Sequence, residues 1–422
     1  IFKFFLLVVL SKFKNIMKIK NCRNCNHNHL IHLFSLGKMS FTGKFPKSFS
    51  QNVPKAQLNL LMCKNCKLVQ LDRNFNIKYL YGRGYGYRTG INQTMTNHVK
   101  KTVKTVSAMV NLKTKDHVLD IASNDATLLN FYKNHVVTVG IDPLVNKYKR
   151  YYKKINYKSS NFFHISEVKK LKIKKKFKII SALSVFYDLR DPNKFLRHVK
   201  QLLEEQGVFI LEHADLYMII KNKIFDTICH EHLGFFSSKV IIEMIRNNGL
   251  KVFHHEYNDI NGGSSRYYIC HKNSNYKTKN SIKKVLLKEK KLGLHSKKIF
   301  TKFFDDILSQ KTKLKKIIKE IKDKKQTIHG YGASTKGNVL LQFYNINNKD
   351  ISYIADRNPL KYNLFTPGTK IKIISENNSR KLQPDYYLVL PWHFKKEILS
   401  REKRAKKNGT KFIFPLTKAN II

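Results

Sequence analysis

Apolar positions recur with two different periods along the 422-residue chain. Between 94 and 110, Met95, Val99, Val103, Val106 and Val110 fall at spacings of three and four, which predicts an amphipathic helix. An apolar strand (HVLDIA, 117–122), a helix over about 127–134 and a second strand (VVTVGID, 136–142) are expected next. This β-α-β order predicts a parallel sheet covered on both faces. A basic stretch over about 281–324 places Ile299, Phe303, Ile307, Leu314, Ile317 and Ile321 on one stripe. That pattern reads as a solvated helix with one packed face joining two domains. QTIHGYGASTKGN (326–338) then opens a further strand-helix alternation, a second and smaller Rossmann-like unit. Residues before 80 show few long periodic runs. The expected fold class is α/β, with a central Rossmann-like parallel sheet, a small N-terminal domain and a smaller C-terminal Rossmann-like domain. The expected boundaries are 17–80, 81–280, a helical connector at 281–325, and 326–422.

Composition adds a net charge of +53, with 42 % hydrophobic residues and 12 % aromatics, so packed cores are affordable. Such a charge attracts polyanions without regard to their sequence. Of the 81 basic residues, however, only 13 are Arg, the residue suited to bidentate phosphate and base contacts. Lys, Asn, Ile, Phe and Tyr are all abundant and have A/T-rich codons. The excess Lys therefore reads as compositional drift, and no specific nucleic-acid partner is expected. No stretch reaches the roughly 18–20 apolar residues of a spanning helix, so no membrane partner is expected and the cytoplasm is the expected location. FKFFLLVVL (2–10) has the length of a signal-peptide core but no small-residue cleavage site follows. Met17 is the expected true start, with residues 1–16 as upstream read-through.

Two CxxC pairs, Cys22/Cys25 and Cys63/Cys66, lie 37 residues apart. Two such knuckles offer four thiolates to one tetrahedral ion, so a closed structural Zn2+ site is expected. A redox dithiol or disulfides are the competing readings, and one of His27, His29 or His32 could replace a thiolate. Asp120 ends the first strand of the central sheet, a tight turn follows, and Asp142 ends the next strand. Nucleoside-binding sheets use this layout: the turn lets backbone approach the ligand and the second acid receives ribose hydroxyls. Ala122 and Ala126 stand where a D/E-x-G-x-x-x-G turn has glycines. Any buried strand entering a helix can look the same. His230, Glu231 and His232 sit together beside Cys229, a set suited to proton abstraction or simply to a polar surface. In NDINGGSSRYY (258–268) the glycine turn is hairpin-like and Arg266 could hold a phosphate or carboxylate. In HGYGASTKGN (329–338) amides at a helix N-terminus, with Lys336, could hold a diphosphate.

Taken together, CRNC (22–25), CKNCKLVQL (63–71), YGYRTGINQTM (85–95), LDIASNDATLL (119–129), SVFYDLRDP (184–192), DTICHEHL (226–233), NDINGGS (258–264), GYGASTKGN (330–338), DRNPLK (356–361), TPGT (366–369) and LPWHF (390–394) closely resemble the sugar C-methyltransferases of nucleotide-linked deoxysugars. The resemblance implies a zinc-binding domain, a class I methyltransferase domain that binds S-adenosylmethionine, and a C-terminal Rossmann-like domain facing a nucleotide-diphosphate sugar. It implies removal of a proton alpha to a ketone and enolate attack on the methyl group. His232 is the implied base and Glu231 orients it or shares the role, with His230 and Tyr87 completing the catalytic candidates. Asp120, Ala122, Asn124, Asp142, Pro143 and Ser184 are the implied cofactor-binding positions. Arg88, Tyr187, Arg266, Ser334, Lys336 and Asn338 are the implied substrate-binding positions. Three departures stand out: Cys229 precedes HEH where many members have Tyr, SVFYD replaces a His-bearing segment, and Ala126 replaces Gly. The last raises the alternative of a non-catalytic member that binds a nucleotide sugar. A nucleic-acid methyltransferase is the further alternative, although FYDL (186–189) lacks the N/D-P-P-Y/F pattern of base N-methylation.

Overall fold

The computed structural model describes residues 16–81, 86–416 and 420–422, with backbone alone at Lys78 and Tyr79. The expectation about residues 1–16 therefore falls, apart from Ile16, outside the described residues. Strands β1 (Leu30–Ser40), β2 (Lys55–Cys63) and β3 (Val69–Leu71) form an antiparallel N-terminal sheet. Its fourth strand is the short segment Gly234–Phe235, which follows the HEH motif in sequence and pairs with β3.

Helix α1 (Gln93–Met109) buries Met95, Val99, Val103 and Val106, the stripe read from its spacing. It leads to β4 (His117–Ile121), β5 (Val137–Ile141), β6 (Tyr157–Ser159) and β7 (Phe177–Leu183). Helix α2 (Pro192–Leu202), capped by Asp191 and opened by a proline, precedes β8 (Leu203–Ala214). β9 (Leu250–Asn258) and β10 (Ser264–His271) close the sheet as an antiparallel hairpin. The order is β9-β10-β8-β7-β4-β5-β6, parallel except at β10 and β9. β4 is the point from which the chain winds outward in both directions. A crevice opens beyond the carboxyl end of a strand in that position.

The basic stretch is two helices, α3 (Ser281–Leu292) and α4 (Lys297–Asp323), separated by Gly293 in a left-handed conformation at φ +68°. α4 buries Phe300, Phe303, Ile307, Leu314, Ile318 and Ile321, and packs Phe303 and Phe304 on Phe34 of β1. Ile299 and Ile317 flank this stripe and are only partly buried. The C-terminal sheet runs through β11 (Ile328–Tyr331), α5 (Thr335–Tyr344), β12 (Tyr353–Asp356), β13 (Lys372–Ser375), β14 (Tyr386–Val389), β15 (Lys411–Phe414) and β16 (Asn420–Ile421). Its order is β13-β12-β11-β14-β15-β16, so β11 is a second outward-winding point. No helix among the described residues is long and apolar enough to cross a membrane.

One local expectation fails. Residues 127–134 form only a 3-10 turn at Leu129–Phe131. Ala126 is left-handed at φ 58°, and its carbonyl is taken by both the backbone and the side-chain amide of Asn130. A β-carbon in that conformation costs about 1–2 kcal/mol. Glycine would relieve the strain but add freedom to the unfolded chain, worth about 0.4–1 kcal/mol. Ala126→Gly is therefore expected to raise stability by about 0.5–1 kcal/mol. The Ala126 methyl does not line the cavity described below, so cofactor affinity should stay within two-fold. Denaturant unfolding and calorimetric titration with S-adenosylhomocysteine check the two halves.

Candidate active site

The carboxyl ends of β4, β5, β11 and β12 open on one cavity of about 520 Å³. On the central-sheet side the turn after β4 carries three left-handed residues, Ala122 (φ 60°), Asn124 (φ 50°) and Ala126 (φ 58°). They curl the backbone round the end of the strand. The Asn124 N–H donates to Asp142 Oδ2 at 2.9 Å, and the Leu144 N–H donates to Asp142 Oδ1 at 2.6 Å. Asp120 accepts from Ser181 Oγ at 2.6 Å. Burial raises both carboxyls, Asp120 to about 7 and Asp142 to about 6. Asp120, Ala122, Asn124, Asp142, Pro143 and Ser184 all line the cavity. The Asn124 side chain accepts from the Thr89 N–H at 2.9 Å and donates to the Tyr87 carbonyl at 3.3 Å. It thereby holds Tyr87 and Arg88 over the cavity rim. Arg88 pairs with Asp125 at 3.6 Å and lies over the Tyr151 ring. An acid at each strand end, beside a turn of close-approaching backbone, fits a nucleoside with a charged amino-acid tail.

The HEH segment forms the wall between the sheets. His232 Nδ1 donates to the Thr227 carbonyl at 2.7 Å, which leaves Nε2 as the unprotonated nitrogen of a neutral ring. Burial, reinforced by the Lys336 charge, pushes its pKa down to about 3. Its ring lies 4.1 Å from that of Tyr187. Glu231 Oε2 accepts from Thr42 Oγ1 at 3.2 Å, and burial raises its pKa. Gly43 passes so close that a β-carbon there would come within 2.9 Å of Glu231 Oε1. Lys336 donates to the Asn261 carbonyl at 2.7 Å, and Asn261 reaches Ser184 Oγ at 3.2 Å. Ser334 caps α5 by accepting from the Gly337 N–H at 2.9 Å. Tyr87, Arg88, Tyr187, Glu231, His232, Ser334 and Lys336 thus share one cavity.

Three candidates lie elsewhere. His230 is fully buried on the opposite side of the segment, its Nε2 on the Ala56 carbonyl at 3.2 Å and its ring against Phe41 and Phe75. The chain turns at His230 and Glu231, closed by the His232 N–H on the Cys229 carbonyl at 3.2 Å, so His230 packs among the aromatic rings while Glu231 and His232 line the cavity. Arg266 is neutralised within the sheet: Nε and Nη2 contact Glu212 Oε2 at 2.8 and 2.7 Å. Asn338 is buried and donates to the Thr42 carbonyl at 2.7 Å, tying α5 to the N-terminal domain instead of facing ligand.

The residues that spacing did not single out come from the C-terminal half and one strand end. The Ala333 N–H donates to Asp356 Oδ2 at 2.7 Å, and the Asn358 N–H donates to Asp356 Oδ1 at 2.7 Å. This repeats, bond for bond, the arrangement round Asp142. Lys361 closes it by donating to the Ala333 carbonyl at 2.6 Å. The signal was present in DRNPLK, a strand-ending acid after a glycine turn. Asp188, the other unassigned wall residue, sits in the FYD segment.

The four cysteines gather far from this cavity. All four sulfurs lie within 4.8 Å of one another, with Cys22 Sγ 3.6 Å from Cys66 Sγ and Cys25 Sγ 3.5 Å from Cys63 Sγ. The group is the expected four thiols, and the alternative ligands His27, His29 and His32 are not part of it. A tetrahedron of thiols is a zinc donor set. Arg23, inside the first knuckle, clamps it by donating to the Leu71 and Arg73 carbonyls, each at 2.7 Å.

A twice-wound sheet with these acidic strand ends defines an S-adenosylmethionine-dependent methyltransferase. Family models agree along the chain: a "Putative zinc binding domain" matches residues 22–81, a "Methyltransferase domain" 92–255 and a "C-methyltransferase C-terminal domain" 259–417. The C-methyltransferase NovU of Streptomyces niveus is 25 % identical over 408 residues, covering 96 % of this chain and 97 % of that protein. The three models follow one another along residues 22–417, so the chain is similar from end to end of that span to C-methyltransferases that join these parts. Among solved structures, a S-adenosylmethionine-dependent methyltransferase from Clostridium acetobutylicum is 15 % identical, covering 42 % of this chain and 92 % of its own, at a TM-score of 0.34. Magnesium protoporphyrin IX methyltransferase from Synechocystis is 13 % identical, covering 43 % and 88 %, at a TM-score of 0.33.

Two outcomes follow for the residues outside the cavity. Purified protein should contain one zinc per chain by elemental analysis, and Cys63→Ser should lose it together with thermal stability. Arg266→Ala removes the cation from the buried Glu212 carboxylate, leaving it only His98 and Asn258, and should cost about 3 kcal/mol in denaturant unfolding.

Proposed function

We propose that the protein C-methylates a nucleotide-linked keto-deoxysugar at the carbon alpha to its ketone. The observation that carries this reading is the unprotonated His232 Nε2, fixed by the Thr227 carbonyl, in the same cavity as the cofactor-type turn. A carbon bearing only an ordinary hydrogen is not a nucleophile, so C-methylation requires a base at that carbon. His232 takes the proton, and the carbon–hydrogen pair becomes the enolate. Glu231, one residue away and held by Thr42, orients the acceptor or shares the proton. Asp120, Asn124 and Asp142 would hold S-adenosylmethionine, which would supply an electrophilic methyl group. Tyr187 against the His232 ring keeps its plane fixed and excludes water from one face. The nucleotide diphosphate is best received between Arg88, Lys336 and Lys361, with Asp356 and the 332–334 turn available to its nucleoside. The non-catalytic reading is weakened, since Ala126 is buried in the core and does not line the cavity.

The reading predicts proton exchange without methyl transfer. A thymidine-diphosphate 4-keto-6-deoxyhexose incubated with the protein in heavy water should gain deuterium alpha to the ketone, as read by NMR. His232→Ala should slow that exchange by about 10²–10⁴-fold, the usual size of a general-base contribution. Equal exchange by wild type and variant would remove His232 from the role.

A further inference from the structure

The turn Phe186–Asp188, which follows β7, puts a further carboxyl on the cavity wall. Asp188 is 6 % exposed, lines the cavity, and its Oδ1 has no hydrogen-bond partner. Its position is fixed from two sides. The Asp188 N–H donates to the Val185 carbonyl at 3.0 Å, and the Leu233 N–H donates to the Tyr187 carbonyl at 2.7 Å. The second bond locks the turn to the HEH segment, so Asp188, Glu231 and His232 are held as one wall. A buried, unsatisfied carboxyl oxygen is costly to fold around, about 1–3 kcal/mol, unless a ligand completes it. Nothing in the cofactor half calls on Asp188: the turn at 122–126 is completed by Asp142, and the strand end at Asp120 by Ser181.

We propose that Asp188 is the acid that serves the carbonyl oxygen of the substrate, opposite the base at the alpha carbon. The inference rests on the keto-sugar reading above. Burial raises the Asp188 carboxyl well above the usual carboxylate range, the Tyr81 phenol hydrogen-bonds it and pulls the other way, and the Glu231 charge adds to the rise. In the forward step His232 takes the alpha proton and the carbon–hydrogen electron pair forms the carbon–carbon double bond. The carbonyl π pair moves to oxygen, which receives the Asp188 proton, leaving an enol and the Asp188 carboxylate. In the second step the enol O–H returns its proton to Asp188 as the carbonyl re-forms. The double-bond pair makes the new bond to the methyl carbon, and the donor's sulfur keeps the electrons of the broken sulfur–methyl bond. Protons balance: Asp188 ends as it began, and His232 holds the proton taken from carbon. A neutral carboxyl stabilises the developing oxyanion only because the cavity wall is dry enough to keep it un-ionised.

The test is alpha-proton exchange in heavy water, with the thymidine-diphosphate 4-keto-6-deoxyhexose as probe. It is paired with calorimetric binding of S-adenosylhomocysteine and thermal melting on the same preparations. Asp188→Ala is expected to slow exchange by about 10²–10³-fold, the loss seen when an oxyanion donor is removed. Asp188→Asn, which still offers an N–H but no transferable proton, should fall between it and wild type. Cofactor-product affinity of both should stay within two-fold of wild type. Wild-type exchange rates in Asp188→Ala would overturn the role of Asp188 and leave the keto-sugar reading intact. Loss of cofactor-product binding in step with exchange in both variants would equally overturn it, marking Asp188 as structural. No exchange by the wild-type protein would overturn the keto-sugar reading and this inference with it.

Discussion

The site depends on one edge pairing. Gly234–Phe235, only two residues long, adds itself to β3 of the N-terminal sheet, and the Leu71 N–H bonds the Leu233 carbonyl at 2.9 Å. Backbone groups buried between domains must find partners, so this pairing fixes the segment before it as firmly as a strand in a sheet centre. The turn at His230 and Glu231 then divides the three residues of HEH between two environments. His230 is packed among aromatic rings of the zinc-binding domain, while Glu231 and His232 look into the cavity. Because the Leu233 N–H also bonds the Tyr187 carbonyl, the same segment sets the turn after β7. The zinc cluster is remote from the chemistry yet belongs to it: the knuckle residue Arg23 holds the carbonyls around β3, and β3 holds the HEH segment.

The two Rossmann-like sheets meet at their winding points and use one device twice. In each, a strand-ending aspartate accepts a backbone N–H from the turn after the first strand and another from two residues further along its own chain. Asp142 does this for Asn124 and Leu144, and Asp356 for Ala333 and Asn358. Each aspartate thereby pins its turn against the cavity, and lone pairs remain on the carboxylate oxygens for a ligand. One cavity lies between two such turns. The side chains that separate them, Asn261, Lys336 and Ser184, form a short bonded bridge across the middle.

Much of this was legible in the chain. The α1 stripe, the strands at 117–121 and 137–141, the paired cysteines and the alternation after 326 all follow from local period and spacing. Local signals failed where long-range partners outweighed them. Residues 127–134 have helical composition, but left-handed Ala126 and the Asn130 amide divert the turn. Arg266 read as an anion site because Arg is scarce, yet Glu212 on the neighbouring strand neutralises it. Asn338 lies in the right motif on the wrong side of α5. Asp188 stood in a quoted segment and drew no role, because nothing in FYDL reveals that its carboxyl is buried without a partner.

By itself, the sequence determined the α/β class and the paired spacing of the four cysteines that gather in the fold. It also showed that the +53 charge is a Lys coat, since the motif segments carry little of it. Those properties depend on spacing along the chain, which is visible in the letters. Only the tertiary structure decided which member of each motif faces the ligand. It separated His232 from His230, removed Arg266 and Asn338 from the cavity, and brought in Asp188, Asp356 and Lys361. The reason is physical: side-chain direction, burial and charge neutralisation are set by partners from distant strands, and no local pattern encodes which partner arrives.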